Sequence, residues 1–266
     1  MAASGKRQEN RYSNLVAHIF ERKYKKGLTT FSFSREDIVS AAMELGIELP
    51  KNIGDVIYSF RYRTNFPECI VKTQPAGFEW IILGSGKSKY TFSLTRLNRI
   101  VPRGNLVTIK IPDATPEIIG AYALGDEQAL LAKVRYIRLI DIFLGITAFS
   151  LQNHLRTTVA GIGQIEVDEV YVALDKSGRQ YVVPVQAKGG HDKHGVVQTS
   201  QDIACCNAKF PNLICRPVSV QFMDNSEIAM FELREEDGAI KIVDEKHYQL
   251  VPANSITSED LIHYNL

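Results

Sequence analysis

The sequence predicts a chain of α+β and α/β character in two domains, 1–95 and 96–266. The first is small and helical with a β-hairpin; the second is a mixed sheet flanked by helices. Three observations predict it. Helical periodicity recurs three times near the N-terminus and then gives way to aromatic and β-branched runs. Charge divides along the chain: residues 1–112 carry 18 Lys and Arg against 9 Asp and Glu, while residues 113–266 carry 13 against 21. A strand–turn–strand pattern over 164–190 holds carboxylates at one end and Gln186-Ala187-Lys188 at the other, between two segments of helical pattern.

The elements follow in order. Leu15, Val16, Ile19, Phe20 and Tyr24 fall on one face of a helix over 11–26, which Gly27 ends. Thr29 to Phe33 is extended. Ser34 caps a second helix with Asp37 three residues on, a variant of the capping box. A third helix runs from near Asn52 to Arg63, burying Ile53, Val56, Ile57 and Phe60. Cys69 to Lys72 and Phe78 to Leu83 are expected to pair as a hairpin around Gln74-Pro75-Ala76-Gly77. Gly84-Ser-Gly-Lys-Ser is a basic loop rather than a phosphate-binding loop. Trp80-Ile81 stands where the first glycine of that motif would fall, and Tyr90 to Phe92 continues as strand instead of helix.

Val107 to Ile111 is a strand that Pro112 breaks. One long apolar helix is expected over 126–144, followed by the polar stretch Phe149 to Thr158. The hairpin comes next: Ile165, Val167, Val170, Val172 and Leu174 form its first strand and Tyr181, Val182, Val183 and Val185 its second, around Asp175-Lys-Ser-Gly178. A helix over 196–209 precedes a strand to Phe222, where Pro217 argues for an edge or a bulge. A second hairpin turns at Glu235 to Gly238, and the tail adds Tyr248 to Val251 and a short helix capped near Ser258.

Residues two apart on a strand share a face, so Glu166 lies beside Asp168 and Gln186 beside Lys188. Antiparallel pairing around the turn brings Asp168 to the Gln186–Lys188 end. A carboxylate, an amide oxygen and an ammonium then share one small volume. Hard oxygen ligands suit Mg²⁺, and an ammonium beside it can orient water or stabilise developing phosphate charge.

Asp168 with Gln186-Ala187-Lys188 resembles the PD-(D/E)xK nuclease superfamily, with Gln where Glu or Asp is more frequent and no proline before Asp168. The resemblance implies a restriction-endonuclease-like fold in the order αβββαβ, with Asp168 and Gln186 as Mg²⁺ ligands and Lys188 acting on water or phosphate. Glu127 or Glu166 would complete the set; Glu127 equally suits a helix N-terminus, where an acid complements the dipole. Gln198 and Gln201 match a glutamine found on the following helix in some members. Three helices and a hairpin resemble a winged helix-turn-helix in architecture. That implies DNA contacts from Lys51, Asn52, Ser59, Arg61 and Arg63 on the third helix and from Lys72 and Gln74 on the wing. Around the active site, Gln152, Asn153, His154 and Arg156 are candidates for touching DNA phosphates or orienting the site, and His191, Lys193 and His194 for contacting the cleaved strand.

The implied activity is Mg²⁺-dependent, sequence-specific cleavage of double-stranded DNA, as in a type II restriction enzyme, by a homodimer on a palindromic site. The alternatives are a DNA-binding regulator with a degenerate nuclease fold, and a repair or junction nuclease. No run approaches the roughly 18 apolar residues of a membrane span, and the polar first residues carry no signal-peptide core. The cysteines Cys69, Cys205, Cys206 and Cys215 lack metal-ligand spacing, which fits reduced thiols in the cytoplasm.

Overall fold

The computed structural model describes residues 2–62, 64–122, 127–160, 162–189, 192–223 and 227–264. The chain divides at Asn98/Arg99 into two compact units, and residues 158–163 belong with the first. No helix among the described residues is long and apolar enough to cross a membrane.

The first unit holds α1 (Ala2–Lys23), β1 (Thr30–Ser34), α2 (Arg35–Leu45), α3 (Gly54–Tyr62), α4 (Glu68–Val71), β2 (Glu79–Gly84) and β3 (Lys89–Thr95). Its strands form an antiparallel sheet in the order β1-β3-β2. The helices close over a core of Leu15, Phe20, Ile38, Ile57, Ile70, Trp80 and Phe92. Phe20 meets Trp80 and Phe92 edge-on, with ring centroids 5.4 and 5.2 Å away, the geometry that ring quadrupoles favour. Ser34 caps α2 reciprocally: its hydroxyl accepts from the Asp37 amide, and the Asp37 carboxylate accepts from the Ser34 amide.

Two expectations fail here. Cys69 to Lys72 is not a strand. Pro67, its φ fixed at −54°, starts the short helix α4, Ile70 drops fully into the core, and Lys72 reaches back to Glu68 at 2.8 Å. The hairpin is therefore formed by β2 and β3, and the loop at Gly84 to Lys89 is its turn. The third helix starts at Gly54 rather than Asn52, because the Asn52 side-chain oxygen accepts from the Gly54 amide and so precedes the helix.

The second unit is built on an eight-stranded mixed sheet. Its elements are β4 (Arg99–Ile100), β5 (Thr108–Pro112), α5 (Glu117–Tyr122), α6 (Glu127–Tyr136), α7 (Leu139–Leu144), β6 (Thr147–Val159), β7 (Gly163–Leu174), β8 (Gln180–Lys188), β9 (His194–Gly195), α8 (Val196–Lys209), β10 (Ile214–Cys215), β11 (Val218–Phe222), β12 (Glu227–Glu236), β13 (Ala239–Val251) and α9 (Ser258–His263). The strand order is β5-β13-β12-β11-β8-β7-β6, with β10 also on β8, while β4 pairs separately with β9. Helices α6 and α7 supply Leu130, Leu131, Val134, Leu139, Ile140 and Leu144 to a core with Tyr181, Val183, Val185 and Ala187 of β8.

The long helix expected over 126–144 is two helices. In a straight helix Leu139 would lie about 180° around from Leu130, pointing away from the sheet. Arg138 adopts the left-handed conformation, φ 54°, ends one helix and starts the next, and returns Leu139 to the core. Tyr248 to Val251 is not a separate piece but the end of β13, and α5 lies in a stretch for which no element was expected.

Pro217 interrupts the strand to Phe222, leaving β10 and β11 in one line against β8. Both align with β8 at the same offset, Cys215 with Val182 and Val218 with Val185. By that register Pro217 stands opposite Pro184. Neither ring has an N–H, so the gap in the ladder leaves no orphaned donor on either ring.

Candidate active site

The β7–β8 hairpin is tightened at its turn by Asp175. The carboxylate accepts from the amides of Ser177 and Arg179 at 2.8 and 3.0 Å and from the Tyr181 hydroxyl at 2.9 Å. Desolvation pushes this carboxyl up, but the hydrogen bonds outweigh it and hold the pKa at about 2. Gly178, φ 77°, supplies the left-handed residue.

At the far end of the hairpin four predicted residues converge. Asp168 Oδ2 accepts from the Ala187 amide at 3.0 Å. Burial raises the Asp168 pKa in spite of that amide and of the nearby Lys188. Lys188, one-sixth exposed, extends to Glu127 at the start of α6, Nζ to Oε1 3.4 Å. Gln186 is fully buried beneath them. Its amide nitrogen donates to the Glu166 carbonyl and to Asp202 Oδ1, at 3.1 and 3.2 Å, and its oxygen accepts from Gln198 at 2.7 Å.

Asp202 is the member that sequence reasoning missed. It sits on α8 one helical turn after Gln198, in a helix whose other buried residues are mostly apolar. An acid at i+4 from a site glutamine was the available signal. It is 1% exposed, and burial lifts its pKa well above the carboxylate range. His194, a candidate for contacting the cleaved DNA strand, is turned inward: it is 1% exposed, its Nε2 lies 3.1 Å from the Thr199 hydroxyl, and its Nδ1 has no partner. Desolvation, then the charge of Lys188, lower its pKa to about 3.

The other candidates separate from this cluster. The Glu166 side chain is drawn to β6, where Arg156 binds it at 3.0 Å and His154 stands 3.6 Å away. Asn153 accepts from Arg135 at 3.2 Å. Lys193 is exposed, and His191 lies outside the described residues, as does Arg63. In the first unit Lys51 is exposed and Ser59 bonds Thr64 at 2.7 Å. Asn52 is spent at the start of α3, where its side-chain amide also donates to Asp55 at 2.7 Å. Arg61 points inward: its Nε donates to the Ile82 carbonyl at 3.0 Å and its guanidinium lies 5.8 Å from the Tyr90 ring centre. Lys72 and Gln74 lie around α4, not on a hairpin.

Among the described residues no three acidic, histidine or cysteine side chains converge as a ready-made ion cage. The donors near Lys188 are oxygens, the Asp168 and Glu127 carboxylates. The Gln186 oxygen already accepts from Gln198. A buried, under-compensated carboxylate at Asp168 with a second acid nearby suits Mg²⁺, which is typically held by one or two carboxylates plus substrate phosphate and water. No protein-family model, curated protein or solved structure matches the chain.

Proposed function

We propose that the chain is a Mg²⁺-dependent endonuclease of double-stranded DNA, of the type II restriction kind, acting as a homodimer. The observation that carries this reading is the convergence of Asp168, Lys188 and Glu127 at the end of the β7–β8 hairpin, above a buried Gln186. An ammonium paired with Glu127 and close enough to lower the Asp168 pKa by its charge is poised to donate to phosphate oxygens as charge develops on them. Asp168 and Glu127 would hold the ion, which when bound supplies Lewis-acid stabilisation of the phosphoryl group. The Ala187 amide fixes the Asp168 carboxylate, and the Gln186–Asp202–Gln198 hydrogen bonds fix the strand beneath it.

The first unit supports DNA docking in this reading. Helices α1 to α3 with a sheet in the order β1-β3-β2 suit a winged helix-turn-helix, α3 taking the major groove. The wing is then the β2–β3 turn, where Lys87 and Lys89 are exposed and suited to phosphates. This replaces Lys72 and Gln74 in that role.

The test is incubation of mixed-sequence plasmid DNA with the protein and Mg²⁺, beside EDTA and a Lys188→Ala variant. Discrete fragments that disappear in both controls are expected. Cleavage that survives Lys188→Ala would remove this site from the reaction. Duplex binding without cleavage would favour a DNA-binding regulator, a reading that the fully hydrogen-bonded Gln186 also suits.

A further inference from the structure

The eight-stranded sheet has two edges, β5 and β6, and the chain treats them differently. An edge strand presents a row of unpaired N–H and C=O groups that recruits another strand unless it is blunted. β5 is blunted. It is five residues long, carries Lys110 and ends in Pro112. The segment after β13 also closes on it: the Lys110 amide donates to the Tyr264 hydroxyl at 2.7 Å, and the Lys110 ammonium bonds Asp260 at 2.9 Å.

The first half of β6 has none of these devices. The strand spans 13 residues, and from Thr147 to Asn153 it holds no charged residue, proline or glycine. Among the described residues no strand pairs with its outer side. At its start the Ala148 amide donates to Asp141 of α7 at 3.0 Å. Beyond that point every residue from Phe149 to His154 is exposed. Phe149 is 54% exposed and Leu151 51%; two apart on a strand, they share a face. At His154, φ 48°, the backbone leaves the extended conformation, so Phe149 to Asn153 is the open edge.

The side chains of this edge suit a copy of itself. Two copies of one strand related by a twofold axis in the sheet plane's normal run antiparallel, and each presents the same groups to the other. With the axis at Ser150, Phe149 lies opposite Leu151 of the partner subunit, and Leu151 opposite Phe149 of the partner subunit. An aromatic then meets an aliphatic side chain twice on one face, a stabilising cross-strand pair. The neutral run from Thr147 to Asn153 sets no like charges against each other across the axis. The Ser150 hydroxyl stays on Glu169 of its own subunit, at 2.6 Å. We infer that β6 pairs antiparallel with β6 of a second copy of this chain, joining two eight-stranded sheets into one. This names the interface of the homodimer and rests on the nuclease reading for that stoichiometry alone.

The test is sedimentation velocity of the full chain without DNA or Mg²⁺, from about 1 to 100 µM, a range that spans moderate affinities. Wild-type protein is expected to shift from monomer to dimer. Leu151→Lys gives β6 the guard that β5 has in Lys110 and should weaken the dimer at least about tenfold. Val107→Lys, at a residue 69% exposed beside β5, should associate as the wild type does. Hydrogen exchange of the wild type reads the backbone directly: amides from Phe149 to Asn153 should exchange more slowly at the dimer concentration than at dilution. A wild type that stays monomeric would overturn the inference and leave the edge to an extended segment of another protein. A dimer that Leu151→Lys leaves intact, or one whose β6 amides exchange as fast as in the monomer, would also overturn it. Cleavage is not read here, so a monomer removes this interface without deciding the reaction, and absent cleavage leaves the interface standing.

Discussion

Lys188 at the end of β8 reaches Glu127 at the first turn of α6, 61 residues away in sequence, with Nζ 3.4 Å from Oε1. The contact joins the sheet to the helix beside it, and the charge of the same ammonium acts on the Asp168 carboxylate.

If that ammonium acts on phosphate, Lys188→Ala removes cleavage by at least about a hundredfold, the scale for losing one preorganised donor. Glu127→Gln distinguishes the two roles of the acid. Loss of cleavage of similar size, read in single-turnover assays, places Glu127 in the site. Unchanged cleavage with a stability loss of about 0.3–1 kcal/mol leaves it as a partner of the helix dipole.

Gln186 bonds three groups from a fully buried position. Gln186→Met keeps its volume but strands Asp202, Gln198 and the Glu166 carbonyl. The expected cost is about 1–3 kcal/mol or more, measured as a lowered urea midpoint with unchanged slope. A variant as stable as the wild type would show that α8 does not depend on this network.

His194 sets an acid limit. In the folded chain its pKa is lowered to about 3, whereas the unfolded chain protonates near 6.5. Between those values the unfolded state binds one more proton. Stability is therefore fully present above pH 6.5 and declines as pH falls toward 3, by about 1.4 kcal/mol per pH unit at most. Urea midpoints at pH 7, 6 and 5 read the slope, and His194→Gln should flatten it. An unchanged slope in that variant would assign the acid sensitivity elsewhere.

Arg61 and Lys87 should separate folding from docking. Arg61→Ala is expected to lower Tm, because it vacates a contact with the Ile82 carbonyl and the Tyr90 ring. Lys87→Ala should leave Tm unchanged and weaken duplex binding, with a salt dependence shallower by about one unit of slope. A normal Tm in Arg61→Ala with binding abolished would return Arg61 to the DNA-reading face.

Local chemistry carried much of this structure in the sequence. The Ser34–Asp37 box, the Asp175–Gly178 turn and the α8 boundaries each depend on a few adjacent residues. The juxtaposition of Asp168 with Gln186 and Lys188 follows from strand alternation and one turn. What was not legible depends on tertiary packing. Nothing near Arg138 marks a break, since no glycine or proline stands there; the sheet's demand on Leu139 makes it. Ile70 turned Cys69 to Lys72 from strand into helix because the core needed a side chain there. Asp202 and the inward turn of Arg61 depend on what lies across from them, which periodicity does not encode.

The facing pair Pro184 and Pro217 gives the sheet a notch that can be matched in only one way. If β11 slid by one residue along β8, a buried amide would face a ring that can neither give nor receive its proton, and the side chains of the strand would all exchange faces. If the two rings disfavour misaligned strands during assembly, substituting either proline would lower refolding yield before it lowered equilibrium stability.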